Sequence, residues 1–187
     1  MNGRTHVIYG IGLVFLIYAI LVWFAIQNPF YEIPALLAFG VGGTFGALFP
    51  DFDFILGNGS PKFHRNTLTH SSLIPISVTI AYAFTPDNFA RTLLMFICLG
   101  MSTHLLFDIF VSDVPEKFER NIFHRWGYRL SAFFSGKVGG RFKGSGAKWA
   151  NEHKRSYLLI HTLLCVICAA VLFLFIYFQI DIDGWWI

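Results

Sequence analysis

Apolar residues in this chain come in long unbroken blocks, not in the alternating or every-third-and-fourth patterns of soluble elements. Five blocks stand out, at about 7–26, 33–49, 68–84, 89–110 and 157–180. A stretch of about twenty apolar residues is the length of a bilayer-spanning helix. The pattern therefore predicts an all-α fold, a polytopic membrane bundle of about five transmembrane helices. The second block is short and Gly-rich. The first has too long an apolar core for a signal peptide and no small-residue cleavage site after it, so it reads as a retained span. Composition agrees: 55% of the 187 residues are hydrophobic and only 13% charged, against about a quarter charged in a soluble domain.

The polar interval at 111–156 is the one sizeable insertion in a single membrane domain, residues 1–187. In its first part Phe118, Ile122, Trp126, Leu130 and Phe134 recur every four residues, with Arg120, Arg125 and Arg129 off that stripe. This is the pattern of an amphipathic helix in the headgroup layer, and a helix packed beneath the bundle shares it. Next comes "SGKVGGRFKGSGAKW", basic and Gly-rich. It lacks the Gly-Lys-Ser/Thr of a P-loop. A flexible tether and a loop that gates substrate or faces lipid both fit.

Charge then orients the bundle. Of the 14 Lys and Arg residues, only Arg91 falls on one side, and ten lie in the insertion. The positive-inside rule makes the basic side cytoplasmic, with the N-terminus inside and the C-terminus outside a cell (inner) membrane. The net charge of +3 thus reflects an inner-face patch suited to anionic lipid headgroups, and no nucleic-acid partner is expected. Cys98, Cys165 and Cys168 all fall in predicted spans, where a free thiol acts as a small apolar residue. In "GVGGTFG", Gly42 and Gly46 are spaced for close helix approach.

On this topology the ionisable groups gather at one depth. His6 opens the first helix. Asp51 and Asp53 follow the second, and Pro50 is expected to break it into an extended turn aiming both carboxylates one way. His64 lies in the next loop and His70 begins the third helix, where Thr69 and Ser71 are candidate caps. His104 and Asp108 share a face of the fourth helix at i, i+4. Ionisable groups in membrane spans are costly and mark function, and a divalent ion relieves the repulsion among the three aspartates. Imidazole with carboxylate suits Zn, Mn or Fe. Seven candidates exceed the four ligands of a structural zinc site, which points to two ions, or to one ion plus catalytic groups.

"PDFD", "HRNTLTHS" and "HLLFD", with a His near the N-terminus, resemble the signature of the YdjM-type family of LexA-regulated, membrane-bound metal-dependent hydrolases, over roughly residues 1–110. The ligand order is more distantly similar to zinc-dependent phospholipase C and P1-type nucleases, although their later H-x-x-x-E is missing here. The resemblance implies a hydrolase with metal ligands His6, Asp51, Asp53, His64, His70, His104 and Asp108. His124, His153 and His161 lie outside the signature; His161 is the best of them as an extra ligand, while His124 and His153 suit the headgroup layer.

The leading expectation is a hydrolase at the cytoplasmic leaflet acting on a lipid or phosphoester. Asp53 and His64 are candidates for ligand or general base, and Arg65 suits an anionic group because its planar fork matches phosphate. A metal-ion or proton transporter is the first alternative, but transporters hold ions near the midplane. A haem-binding electron carrier is the second, and it leaves the three aspartates unexplained.

Overall fold

A computed structural model describes residues 3–24, 33–53, 65–83, 87–110, 114–119, 121–138 and 140–177. Among them regular structure is helical, apart from one isolated bridge between Asn66 and Lys143. The helices are α1 (Gly3–Phe24), α2 (Ile33–Leu48), α3 (Leu73–Ala83), α4 (Asn88–Asp108), α5 (Glu116–Glu119), α6 (Ile122–Phe134), α7 (Ala147–Glu152) and α8 (Lys154–Tyr177). Two of them, α4 and α8, are long and apolar enough to cross a membrane. The apolar helices α2 and α3 are shorter, at 16 and 11 residues, while α1 runs for 22 residues.

The bundle is organised around α4, which packs against α1, α2, α3 and α8. A helix surrounded by others needs apolar or small residues all round, and α4 has them: Met95, Phe96, Leu99, Gly100, Met101 and Leu105 are all buried. Asp87 caps its start, accepting from the backbone N–H groups of Phe89 at 2.9 Å and Ala90 at 3.1 Å.

The seam between α2 and α4 is made by missing side chains. A Cβ at Gly46 would overlap the backbone carbonyl of Ile97, and one at Gly100 would overlap that of Gly43. The two backbones are therefore in direct contact, as the small-residue spacing predicts. At Gly10, α1 makes a similar close approach to Thr103 of α4 and Ala47 of α2.

The insertion differs from its sequence pattern in two ways. The predicted amphipathic stripe is split, because Asn121 takes an extended conformation and caps α6. Phe118 is thus left on α5, stacked on Tyr128 with centroids 5.2 Å apart. Within α6, Trp126 turns toward Phe107 and Phe110, and Arg129 is buried beside it with its guanidinium over the indole. Phe123, Leu130 and Phe134 form an exposed apolar ridge on another face.

The Gly-rich loop, which reads equally well as a tether, is docked. Lys143 accepts from the backbone N–H of Thr67 at 2.9 Å and donates its own to Arg65 at 3.0 Å. Phe142 is buried to 1% exposure. Its backbone N–H and carbonyl are both satisfied by the Asn151 side chain at 2.8 Å. Positive φ at Gly140 and Gly144 supplies the bends that lay this segment down, a conformation that costs glycine nothing.

Candidate metal centre

Pro50 fixes where the acidic side chains point. It has no N–H to continue the α2 ladder, so the chain tightens into a 3-10 turn over Phe49–Asp51. The turn is helical, not the extended one expected from the sequence. Residues two apart on a helical turn diverge, and Asp51 and Asp53 consequently do different work. Asp51 Oδ1 lies 3.7 Å from His104 Nε2. Asp53 turns to the other side, where its Oδ2 accepts from the backbone N–H of Asn66 at 2.6 Å and from the Thr69 hydroxyl at 3.0 Å. It sits 3.7 Å from His70 Nδ1.

His104 and Asp108 share one face of α4, as their spacing predicts. The close α2–α4 seam brings the Ala47 carbonyl to 2.7 Å from His104 Nδ1. A carbonyl only accepts, so Nδ1 carries the proton and Nε2 presents its lone pair to the cluster. Metal-binding histidines are oriented this way.

His70 lies in the turn before α3, not in the helix, which starts at Leu73. The turn holds because Asp53 organises it through Asn66 and Thr69. Thr69 is thus engaged with Asp53 instead of capping the helix, while the Ser71 hydroxyl donates to the Leu68 carbonyl and accepts from Leu73 N–H. His70 Nδ1 faces Thr69 Oγ1 at 3.2 Å and Asp53. Its Nε2 lies 3.4 Å from Asp108 Oδ2, and His104 Nε2 lies 3.7 Å from the same oxygen.

Arg65 lies against the far oxygen of Asp108, with Nη2 donating to Oδ1 at 2.8 Å. Both side chains are buried, at 7% and 3% exposure. The anion its fork holds is therefore Asp108. Arg65 has φ of 64°, a left-handed conformation that costs a non-glycine residue about 1–2 kcal/mol. The docked loop holds it there: a Cβ at Gly140 would overlap the guanidinium.

The donor set fits an ion. Ligand atoms of Asp51, His70 and His104 all lie within 4.8 Å of one another. A tetrahedral shell with bonds of about 2.0–2.1 Å has edges of roughly 3.4 Å, and the imidazole–carboxylate separations of 3.4 to 3.7 Å match that within a few tenths. Two imidazoles with carboxylates suit a first-row transition metal. Asp108 adjoins the triad through Oδ2, and Asp53 stands behind His70.

The remaining sequence candidates lie elsewhere. His64 falls outside the described residues, as does the side chain of His6, although its backbone is one turn before the Gly10 contact in α1. His124 and His153 are exposed, the latter stacked on Trp149. His161 is turned to Ser72, whose backbone N–H donates to Nδ1 at 3.2 Å, so it buttresses the turn behind His70. Tyr157 had no motif to reveal it. Its hydroxyl donates to the Thr67 carbonyl at 2.8 Å, and its ring packs on Phe142, 4.9 Å away.

No curated protein and no solved structure matches the chain. One family model does, that of the YdjM inner membrane protein, over residues 1–119. The matched stretch contains Asp51, Asp53, His70, His104 and Asp108 and stops before α6. With a site of imidazoles and carboxylates at the end of an apolar bundle, and a match over more than half its length, the chain belongs to the YdjM inner membrane protein family.

Proposed function

We propose that this protein is a metal-dependent hydrolase of the inner membrane that acts at the cytoplasmic leaflet on a lipid or phosphoester. In this reading the five apolar blocks that contain α1, α2, α3, α4 and α8 are the spans, the N-terminus is cytoplasmic and α6 lies in the headgroup layer. The observation that carries the reading is the convergence of His70 Nε2 and His104 Nε2 on Asp51 and Asp108, with His104 Nδ1 committed to a backbone carbonyl. The placement at one end of α4 favours catalysis at a leaflet over ion passage, which uses sites near the midplane.

Asp51, His70, His104 and Asp108 hold the metal, and His6 and His64 are the further ligands that the family signature supplies. When bound, a zinc, manganese or iron ion would polarise a phosphoryl or acyl oxygen and make water a nucleophile at neutral pH. Asp53 keeps His70 in place through Nδ1 and Thr69. Arg65 fixes the orientation of Asp108. Asp51, with 20% of its side chain exposed against 3% for Asp108, is the open side of the cluster, from which substrate approaches.

The test is elemental analysis of the full chain purified in mild detergent without chelators, beside His104→Ala. One or two equivalents of zinc, manganese or iron are expected, lost in the variant while its helicity stays. Turnover of phospholipid or phosphoester substrates should fall with the metal. Absence of metal from the wild type, or undiminished turnover in His104→Ala, sinks the reading.

A further inference from the structure

Both α2 and α3 pack on α4, but not appreciably on each other. Between them lies a groove of about 140 Å³, with Phe45, Phe49, Val78, Leu94, Ile97 and Met101 among its walls. Its floor holds two polar groups, the Thr79 hydroxyl and the Cys98 thiol, which face each other at 3.9 Å. The exposed lining is accordingly wholly apolar. At one end stand Phe49 and Met101. Phe49 begins the turn that carries Asp51, and Met101 is three residues before His104. The groove is thus walled by the same three segments that carry the carboxylate–imidazole cluster, within two to four residues of Asp51, His70 and His104, although none of the cluster residues lines it.

We infer that this groove seats an acyl chain of the substrate, so that the substrate is a membrane lipid that enters sideways between α2 and α3 with its headgroup toward Asp51. The size is that of a chain segment: an aliphatic cavity of about 150 Å³ stays dry and accepts benzene, so this one takes about six carbons. Nearness to the cluster argues for a chain over a free apolar solute, because a chain held in the groove would bring its ester toward the residues of the candidate metal site. The word "substrate" rests on the hydrolase reading; occupancy of the groove does not.

The experiment uses the full chain in phosphatidylglycerol vesicles, a fraction of the lipid carrying a diazirine midway along one acyl chain. After photolysis, adducts are mapped by mass spectrometry. Label at Val78, Leu94 and Ile97 is expected to exceed that at Phe15 and Leu16 of α1 and Leu163 and Ile167 of α8, which are exposed apolar positions, by fivefold or more. Val78→Trp and Leu94→Trp each plug the groove, and either should bring the remaining groove label down to the level of those controls. Labelling no stronger in the groove than on α1 and α8 overturns the inference, as does label that persists in both plugged variants. Neither readout needs turnover. A hydrolase without groove label and a labelled groove without hydrolysis are thus distinct results.

Discussion

Residues up to 119 and residues beyond them build the same site by different means. The first part supplies the atoms of the candidate metal site, and it holds them by backbone contact: Gly46 on Ile97, Gly100 on Gly43, the Ala47 carbonyl on His104. The second part places no atom in the Asp51–His70–His104 triad. It covers the site, with Phe142 and Tyr157 joining Met101 and Leu105 in one buried cluster and the docked loop pairing with Arg65 and Thr67. The family signature therefore picks out the carboxylates and imidazoles that converge. It does not say what keeps the His70 turn against α4.

The comparison breaks most severely at Asp108, which serves both parts. Asp108→Ala removes an oxygen 3.4 Å from His70 Nε2 and the carboxylate that holds buried Arg65. Removing one partner of a buried ion pair costs about 3–5 kcal/mol. Bound metal should fall at least tenfold and the detergent melting temperature should drop sharply. A melt within a few degrees of wild type would show that Arg65 is not tied down by this carboxylate.

The ligand part alone is tested at its seam. Gly46→Ala and Gly100→Ala each force a methyl group into the opposing backbone. Overpacking of this kind costs about 1–3 kcal/mol. It should also weaken metal binding by moving Ala47 away from His104. Gly12→Ala is the control, since nothing lies within 4 Å of its added Cβ; alanine there gains up to about 1 kcal/mol in helix propensity. Equal melts for the three variants would remove the seam from the account.

The same division governs what the sequence made legible. The apolar blocks gave the helical architecture because bilayer-length runs have few other outcomes, and His104 with Asp108 were readable from helical spacing alone. Gly42 and Gly46 announced the seam. The geometry after Pro50 was not readable: the loss of one N–H allowed an extended break or a 3-10 turn, and only packing against α4 selects the turn that sends Asp51 and Asp53 apart. The third helix starts at Leu73, later than its apolar run, because Asp53 captures Asn66 and Thr69. Docking of the Gly-rich loop was invisible because glycines at Gly140 and Gly144 look the same in a tether and in a fixed bend. Two apolar residues, Val138 and Phe142, were the local hints.

The covering part is tested at Gly140. Gly140→Ala strains a backbone at φ +72° and collides with the Arg65 guanidinium. Gly136→Ala has a similar φ of +79° but open space around it, so it carries only the backbone term, about 1–2 kcal/mol. The excess effect at Gly140 therefore measures the loop's grip on Arg65. Trypsin should cut Gly140→Ala faster at Arg141 and Lys143 than it cuts Gly136→Ala. Indistinguishable cleavage would mean that the loop is held by Phe142 without help from Arg65.

The smallest effect decides what the cover is for. Tyr157→Phe keeps the ring against Phe142 and deletes only the hydroxyl that reaches Thr67. A single hydrogen bond of this kind contributes about 0.5–1.5 kcal/mol, so the fold should survive with little change in its melt. Thr67 is three residues before His70, in a turn also tied by the Asp53 carboxylate, the Lys143 carbonyl and His161. If the cover merely shields the cluster, zinc affinity measured by chelator competition will match wild type. If it positions His70, affinity should fall by a few-fold. That is less than the roughly 10–100-fold typical of a group that hydrogen-bonds a ligand directly, since Tyr157 acts one step further out. A few-fold loss with an unmoved melt would make the second part of the chain a component of the metal centre, although it contributes no ligand to the triad.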